Sequence, residues 1–240
     1  MRVLLALGIL VCFVSSCEDT KKTSVEKTKT TSVIDETTTS TNDSSSQEIS
    51  EVTLPEYPKI TEENVVEFLT QYGQENPETE VKITTRLGTI YMSLYEDTPL
   101  HRANFIYLVK SGYFSDTFFH RTVPKFIIQG GNSDLPSTNK KRADIGATYL
   151  LPAEINGRNH SYGSVSGAKE YRENPDKKTM PFEFFIFLGP QTSTKHLNGN
   201  YTVFGKITKG MSVVEKIAVL ETDEGEWPLQ NVYITAEIVK

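Results

Sequence analysis

The stretch that decides the fold runs from residue 118 to 132 and reads FFHRTVPKFIIQGGN. Phe118 and Phe119 lead into His120 and Arg121. After a link through Pro124 come Phe126, Ile127, Ile128, a single amide at Gln129, and then Gly130 and Gly131. Most of these side chains favour burial, yet the stretch carries one permanent cation and one amide. A half-buried Arg needs partners or a ligand. Paired glycines remove side chains where the backbone must turn or where something comes close.

Working outward, Val81, Ile83 and Thr85 alternate with polar residues, as do Ile90, Met92 and Leu94, with Gly88 between the two runs. This predicts a β-hairpin. Thr98 and Pro99 open a helix with Pro at its first position; Phe105, Leu108 and Val109 form its buried stripe and Gly112 ends it. Farther upstream, residues 60–73 predict another helix. Thr61 is its N-cap, Glu62 and Glu63 sit in its first turn, and Ile60 and Val65 are spaced as a hydrophobic staple. Val65, Phe68, Leu69 and Tyr72 make its apolar face and Gly73 its stop.

Downstream, residues 133–144 (SDLPSTNKKRAD) read as a polar, mobile loop. Residues 182–189 (FEFFIFLG) form a nearly continuous apolar strand with one Glu. Gly210, Met211, Val214 and Ile217 give a short amphipathic helix, and Val232, Ile234, Ala236 and Ile238 alternate as a closing strand. Trp227 and Pro228 read as a structural turn. Some eight strands with two helices, in this order, predict an all-β fold closed into a barrel.

The central stretch resembles the signature of the cyclophilins, the peptidyl-prolyl cis-trans isomerases, which runs F-H-R, two residues, P, one residue, F, two residues, Q-G-G-D. Phe119, His120, Arg121, Pro124, Phe126, Gln129, Gly130 and Gly131 match; Asn132 departs. Other segments agree in order. Pro99, Asn104, Phe105, Leu108, Gly112 and Tyr113 match the family's first helix, and Tyr149, Pro152, Ala153 and Glu154 match its Y-x-x-P-A-E run. In HSYGSVSGAK (160–169), Gly163, Val165, Ser166 and Ala168 fit, while Gly167 replaces Met and Lys169 replaces Asn. Phe184, Phe185 and Ile186 match the S-Q-F-F-I strand, with Phe182 and Glu183 in the Ser and Gln places. Leu197, Gly199, Val203, Phe204 and Gly205 match the last motif, with His196 for Trp and Tyr201 for His.

The resemblance implies an eight-stranded antiparallel barrel capped by a helix at each end over residues 80–240, and rotation of X-Pro peptide bonds. That barrier is about 18–20 kcal/mol because rotation breaks amide conjugation. No bond is cleaved, so no cofactor, metal or nucleophile is required. Arg121 is implied to be the catalytic residue, a donor to the proline nitrogen as its lone pair returns in the twisted state. Phe126, Ile127, Phe185 and Leu197 would form the apolar slot for the proline ring. Gln129 would hold Arg121 or the substrate backbone, Ala168 and Lys169 would line the adjacent groove, and Tyr201 would close the pocket. Glu183, in place of Gln, is expected near Arg121, where direct pairing would hold the guanidinium away from substrate. That feature keeps open an alternative, a non-catalytic module that binds Pro-containing segments. His120 is expected to be packed and to have no chemical role.

The net charge of −6 over 240 residues argues against a nucleic-acid partner. Both cysteines, Cys12 and Cys17, lie at the N-terminus, which leaves the folded body without a disulfide or a thiolate. After Arg2 comes an apolar run from Val3 to Val14, shorter than the ~20 residues of a spanning helix and suited to a signal-peptide core. It ends in Val14-Ser15-Ser16-Cys17, which resembles the lipobox of bacterial lipoproteins, with Cys17 as the lipid attachment site. A plain secretory signal is the alternative. Glu18 and Asp19 resemble a surface-export signal; a solvated tail is the plainer reading. Residues 18–55 hold 17 Ser or Thr and no aromatic residue, too little to bury a core, and read as a disordered tether. At ~5–6 Å times the square root of its length it would reach about 35 Å. The expected picture is a monomer in the cell envelope: signal 1–17, tether 18–55, short helical segment 56–79 and isomerase domain 80–240. Its expected partners are proline-containing peptides and unfolded exported proteins.

Overall fold

A computed structural model describes residues 57–169 and 174–239. The signal, Cys17 and the tether fall outside the described residues.

The chain begins with α1 (Val65–Glu75), then the hairpin β1 (Glu80–Thr85) and β2 (Gly88–Leu94), and α2 (Pro99–Lys110). A short 3-10 turn (Tyr113–Asp116) leads into β3 (Phe118–Val123), β4 (Ile127–Asn132) and α3 (Pro136–Ile145). After these come β5 (Ser164–Gly167), β6 (Phe184–Phe187), β7 (Val203–Lys209), α4 (Met211–Ala218) and β8 (Thr235–Ile238). The eight strands form one antiparallel sheet in the order β3-β4-β6-β5-β7-β2-β1-β8.

The expected closed barrel is corrected here. β3 and β8 end the ladder and are not paired with each other, so the sheet is an open, curled half-barrel. The chain before β8 crosses the seam with an isolated bridge between Phe118 and Tyr233. Two hydrogen bonds accompany it, from Phe119 N to Val232 O (3.0 Å) and from Ile234 N to Thr117 O (2.9 Å). The closing strand is accordingly shorter than the alternation from Val232 predicts.

Two helices differ from expectation. The regular part of α1 starts at Val65, but the turn before it is continuous with the helix and Thr61 caps it as expected: Thr61 O accepts from Val65 N (3.0 Å), Thr61 Oγ1 accepts from Glu63 N (3.3 Å), and Thr61 N donates back to Asn64 Oδ1 (2.8 Å). α1 also runs through Gly73 to Glu75. Gly73 is no stop: a Cβ there would lie 3.0 Å from Ala103 Cβ, so the missing side chain lets α1 approach α2. The polar loop predicted over 133–144 is mostly helix, α3. Pro136 stands at its start, a position open to Pro because the N–H there has no intrahelical partner. α3 buries only Thr138 and Ile145, so it has almost no apolar period to read.

α2 buries every residue from His101 to Val109, not one stripe, because the sheet covers one side and α1 the other. Ile60, Val65, Leu69 and Tyr72 belong to the same core as Ile106, Leu108 and the inner face of the sheet. The motif residues along α2 hold it in place. Glu154 accepts from the N–H groups of Leu100 and His101 (2.9 Å each) and from His101 Nδ1 (2.6 Å), a carboxylate at a helix N-terminus. Asn104 donates to Pro181 O (2.8 Å) and accepts from Tyr149 (2.8 Å).

Candidate active site

β6 reads FFIF because both of its faces are covered. Phe184 and Ile186 enter the main core. Phe185 and Phe187 point the other way and join Ile127 and Leu197 in a second, separate apolar cluster, flanked by Val123, Phe126 and Tyr201. The register then places chemistry in rows. Arg121 on β3 faces Gln129 on β4, Gln129 faces Phe185 on β6, and Phe185 faces Ser166 on β5. Cross-strand partners share a face, so one row brings a cation, an amide, an aromatic floor and a hydroxyl together. The pairing of β3 with β4 shifts between Phe119 and Arg121. Such an irregularity re-aims side chains: Phe119 joins the main core while Arg121 lines the cleft.

A cleft of about 50 Å³ opens over the second cluster. It is lined by Arg121, Phe126, Ile127, Gln129, Ala168, Lys169, Phe185, Leu197 and Tyr201, nine of the ten residues the sequence nominates. His196 completes the rim, its ring 5.6 Å from that of Phe126. On the opposite rim Lys169 Nζ lies 4.5 Å above the Tyr201 ring and donates to Asn200 O (2.7 Å). Burial, then the charge of Lys177, lowers the Lys169 pKa. Tyr201 meets Phe185 edge-on at 5.6 Å.

Glu183 is the exception, and its expected role is corrected. Its carboxylate accepts from Gln129 Nε2 (2.9 Å) and lies 3.4 Å from both His120 Nε2 and Arg142 Nη2, with no bond to Arg121. Burial pushes the Glu183 pKa up, but His120, Gln129 and Arg142 outweigh it and hold the carboxyl below its usual range. Gly131 explains its approach: φ is +97°, and a Cβ would fall 2.1 Å from Phe182 O. Gln129 is correspondingly bonded to Glu183 and not to Arg121.

The partner of Arg121 is Glu226, 105 residues away, whose Oε2 accepts from Nε at 2.7 Å. The two terminal NH₂ groups of Arg121 have no partner among the described residues. The Glu226 turn is pinned: Thr122 N donates to Glu226 O (2.9 Å), and Asp223 Oδ1 accepts from Gly225 N and Trp227 N. The Trp227 ring packs on Phe118 at 5.3 Å and His120 at 5.8 Å, the structural turn expected of it.

Sequence reasoning also missed His160. It is fully buried and stacks on Phe185 at 5.8 Å with a 4° interplanar angle. Nδ1 lies 2.9 Å from Asn198 Oδ1, and Ser166 Oγ lies 3.0 Å from Nε2. The carbonyl oxygen of Asn198 only accepts, which places the proton on Nδ1 and makes Nε2 the acceptor from Ser166. Burial lowers the His160 pKa. The signal was its place in HSYGSVSGAK beside Ser166.

An antiparallel half-barrel with a tethered guanidinium over an apolar slot defines a protein that receives a short, partly apolar chain segment. The family model for the cyclophilin-type peptidyl-prolyl cis-trans isomerases matches residues 80–238. Over 156 residues the chain is 33% identical to the peptidyl-prolyl cis-trans isomerase ppi1 of Schizosaccharomyces pombe, covering 64% of this chain and 94% of that protein. It is 34% identical to peptidyl-prolyl cis-trans isomerase A of Dickeya dadantii, covering 64% and 78%. A crystal structure of a Cryptosporidium parvum cyclophilin-type isomerase, in the presence of the dipeptide Ala-Pro, superposes with a TM-score of 0.56 at 27% identity, covering 67% of this chain and 99% of that one. The chain belongs to the cyclophilin-type peptidyl-prolyl cis-trans isomerases, and isomerase activity follows from that membership.

Proposed function

We propose that the cleft over the second apolar cluster is where an X-Pro segment is turned, with Arg121 as the catalytic donor. The observation that carries this is the geometry of Arg121: Nε is tied back to Glu226 while both terminal NH₂ groups are left for a ligand. The proline ring rests on Ile127, Phe185 and Leu197, with Phe126 at its edge. As the amide twists, the proline nitrogen regains its lone pair and accepts from the guanidinium, an interaction stronger in the twisted state than in the planar one. The Ala-Pro dipeptide of the Cryptosporidium structure supports a proline-peptide ligand here. Gln129 is steadied by Glu183, and Lys169 and Tyr201 form the wall that the flanking substrate backbone passes. The test follows cis-to-trans relaxation of a short Ala-Pro peptide with the parent and Arg121→Ala. Acceleration by the parent and a loss of about 100-fold in the variant, the size of losing one transition-state donor, is expected. Equal acceleration by both removes Arg121 from the mechanism.

We infer further that the enzyme works as a monomer in the cell envelope on exported proteins, anchored through Cys17. The apolar run ending at Cys17 and the Ser/Thr-rich stretch after it support this. Membrane fractionation of the parent beside Cys17→Ala is the check, with release of the variant expected. The non-catalytic alternative rested on a Glu183–Arg121 pair, which the geometry does not contain.

A further inference from the structure

On the side of the molecule built by α1, a cleft of about 420 Å³ lies among α1, α2 and α3, within the usual size range of ligand sites. One wall is four aromatic rings, Tyr57, Phe68, Tyr72 and Tyr107, each within 5.9 Å of the other three and mostly edge-to-face. Tyr57, Tyr72 and Tyr107 line the opening. Tyr72 and Tyr107 are 3% and 7% exposed, yet neither hydroxyl has a hydrogen-bond partner among the described residues, and neither is among the sealed, unpaired polar atoms. Each hydroxyl therefore keeps some exposed surface, and each residue lines the cleft.

The cleft offers donors and no net charge. Lys110 is neutralised by Glu78 (2.5 Å) and held by Asn76 (2.6 Å), Lys141 by Asp116 (3.1 Å), and Asp144 by Lys140 (2.9 Å). An anion therefore finds no uncompensated cation. Burial, followed by its Tyr57, Glu78, Tyr107 and Glu75 neighbours, raises the Tyr72 pKa; burial and Tyr57 raise that of Tyr107. Both hydroxyls stay protonated as donors, and Tyr57, Tyr72 and Tyr107 lie near enough to act on one another. A ligand that matches is uncharged, rich in acceptors, poor in donors and able to lie against aromatic edges. A polyproline II segment has these properties: its carbonyls are free of internal bonds, its prolines lack N–H groups, and its rings fit aromatic-lined grooves.

We propose that this tyrosine cleft is a second peptide site, binding a proline-rich, uncharged, extended segment of another polypeptide. It stands apart from the isomerase cleft and does not depend on turnover there. α1 and its C-terminal cap, which supply Tyr72 and Asn76, precede the family-matched residues 80–238, so the site is an addition to the common fold.

The test uses the full chain and the capped peptide of three Ala-Pro-Pro repeats carrying a benzoylphenylalanine photo-crosslinker, with crosslinks mapped by mass spectrometry. Crosslinks at 57–76, 107–111 and 141–145 are expected. They should weaken about fivefold or more in the Tyr72→Phe, Tyr107→Phe double variant, which keeps the rings and removes two hydrogen bonds. They should vanish in Asp144→Trp, which plugs the opening from an exposed position of α3, while isomerase rates on a short peptide stay at the parent value in both. Crosslinks confined to the isomerase cleft, or α1-side crosslinks that neither variant reduces, overturn the proposal.

Discussion

Arg121 is anchored at one nitrogen, and that anchor is testable. Its pair with Glu226 is solvent-accessible, with side chains 35% and 43% exposed, so its Coulomb energy is small. Its value is geometric: it fixes which edge of the guanidinium faces the cleft. Glu226→Gln keeps an acceptor at Nε and is expected to leave kcat/KM within about twofold, whereas Glu226→Ala lets the guanidinium swing and costs about fivefold, the scale of one exposed pair. A speed-up in both variants would instead show that Glu226 acts by neutralising charge. Glu183→Gln, by contrast, is expected to leave turnover near the parent value and to lower stability, because Arg142 and His120 lose their carboxylate. The folded Glu183 pKa lies below the unfolded one, so the stability it contributes is complete above pH ~4.5 and is lost as pH falls through the folded value. His160 acts in a different window. Its folded pKa is also lowered, so here too the unfolded chain takes up the proton first, but from a higher starting value; its penalty begins as pH falls below ~6.5. Melting temperatures measured from pH 7 to 5 should fall in the parent and flatten in His160→Gln, which should also bind peptide more weakly because the ring under Phe185 is gone.

Between α1 and α2 the contact is close enough to reverse a propensity rule. Gly73→Ala gains about 1 kcal/mol of helix propensity. The new Cβ, however, would sit 3.0 Å from Ala103 Cβ on the buried middle of α2, and overpacking of that kind costs about 1–3 kcal/mol. A lowered denaturant midpoint is expected; a raised one would mean that α1 can slide. The same interface shows why some elements were legible and others were not. The β1–β2 hairpin and β6 announce themselves because alternation, or its absence in FFIF, is a local consequence of how many faces are covered. α2 reads correctly at both ends, yet its depth of burial is invisible, because α1 is what covers the second side. α3 carries no apolar period, so Arg142 and its hold on Glu183 could not be foreseen. The nine cleft residues were legible because they stand in fixed motifs; Glu226 was not, since it lies in a turn whose only signal is its position 105 residues from Arg121.

At the scale of the whole molecule, the segment before residue 80 is part of the fold's stability. Arg102 on α2 is 9% exposed and spends its guanidinium on the C-terminal end of α1: Nη2 donates to Gly73 O at 3.0 Å and Nη1 to Asn76 O at 3.0 Å. This satisfies carbonyls that no helix can satisfy for itself and sets a cation at the negative end of the dipole. Removing α1 leaves that cation against apolar surface without its partners and uncovers one whole side of α2. Ile60, Val65, Leu69 and Tyr72 are each at most 3% exposed; at ~1.5–3 kcal/mol for a large apolar side chain, their burial is comparable, as an upper bound, with the ~5–15 kcal/mol that holds a domain together. A fragment of residues 80–240, although it spans the family-matched residues 80–238, is therefore expected to melt far below the full chain or to aggregate. Arg102→Met in that fragment should recover part of the loss, because it replaces an unpartnered cation with an apolar chain of similar length. Thermal unfolding of the full chain, the fragment and the Arg102→Met fragment decides the matter. A fragment that melts with the full chain would mean that α1 is an appendage held by the domain and contributes nothing to its stability.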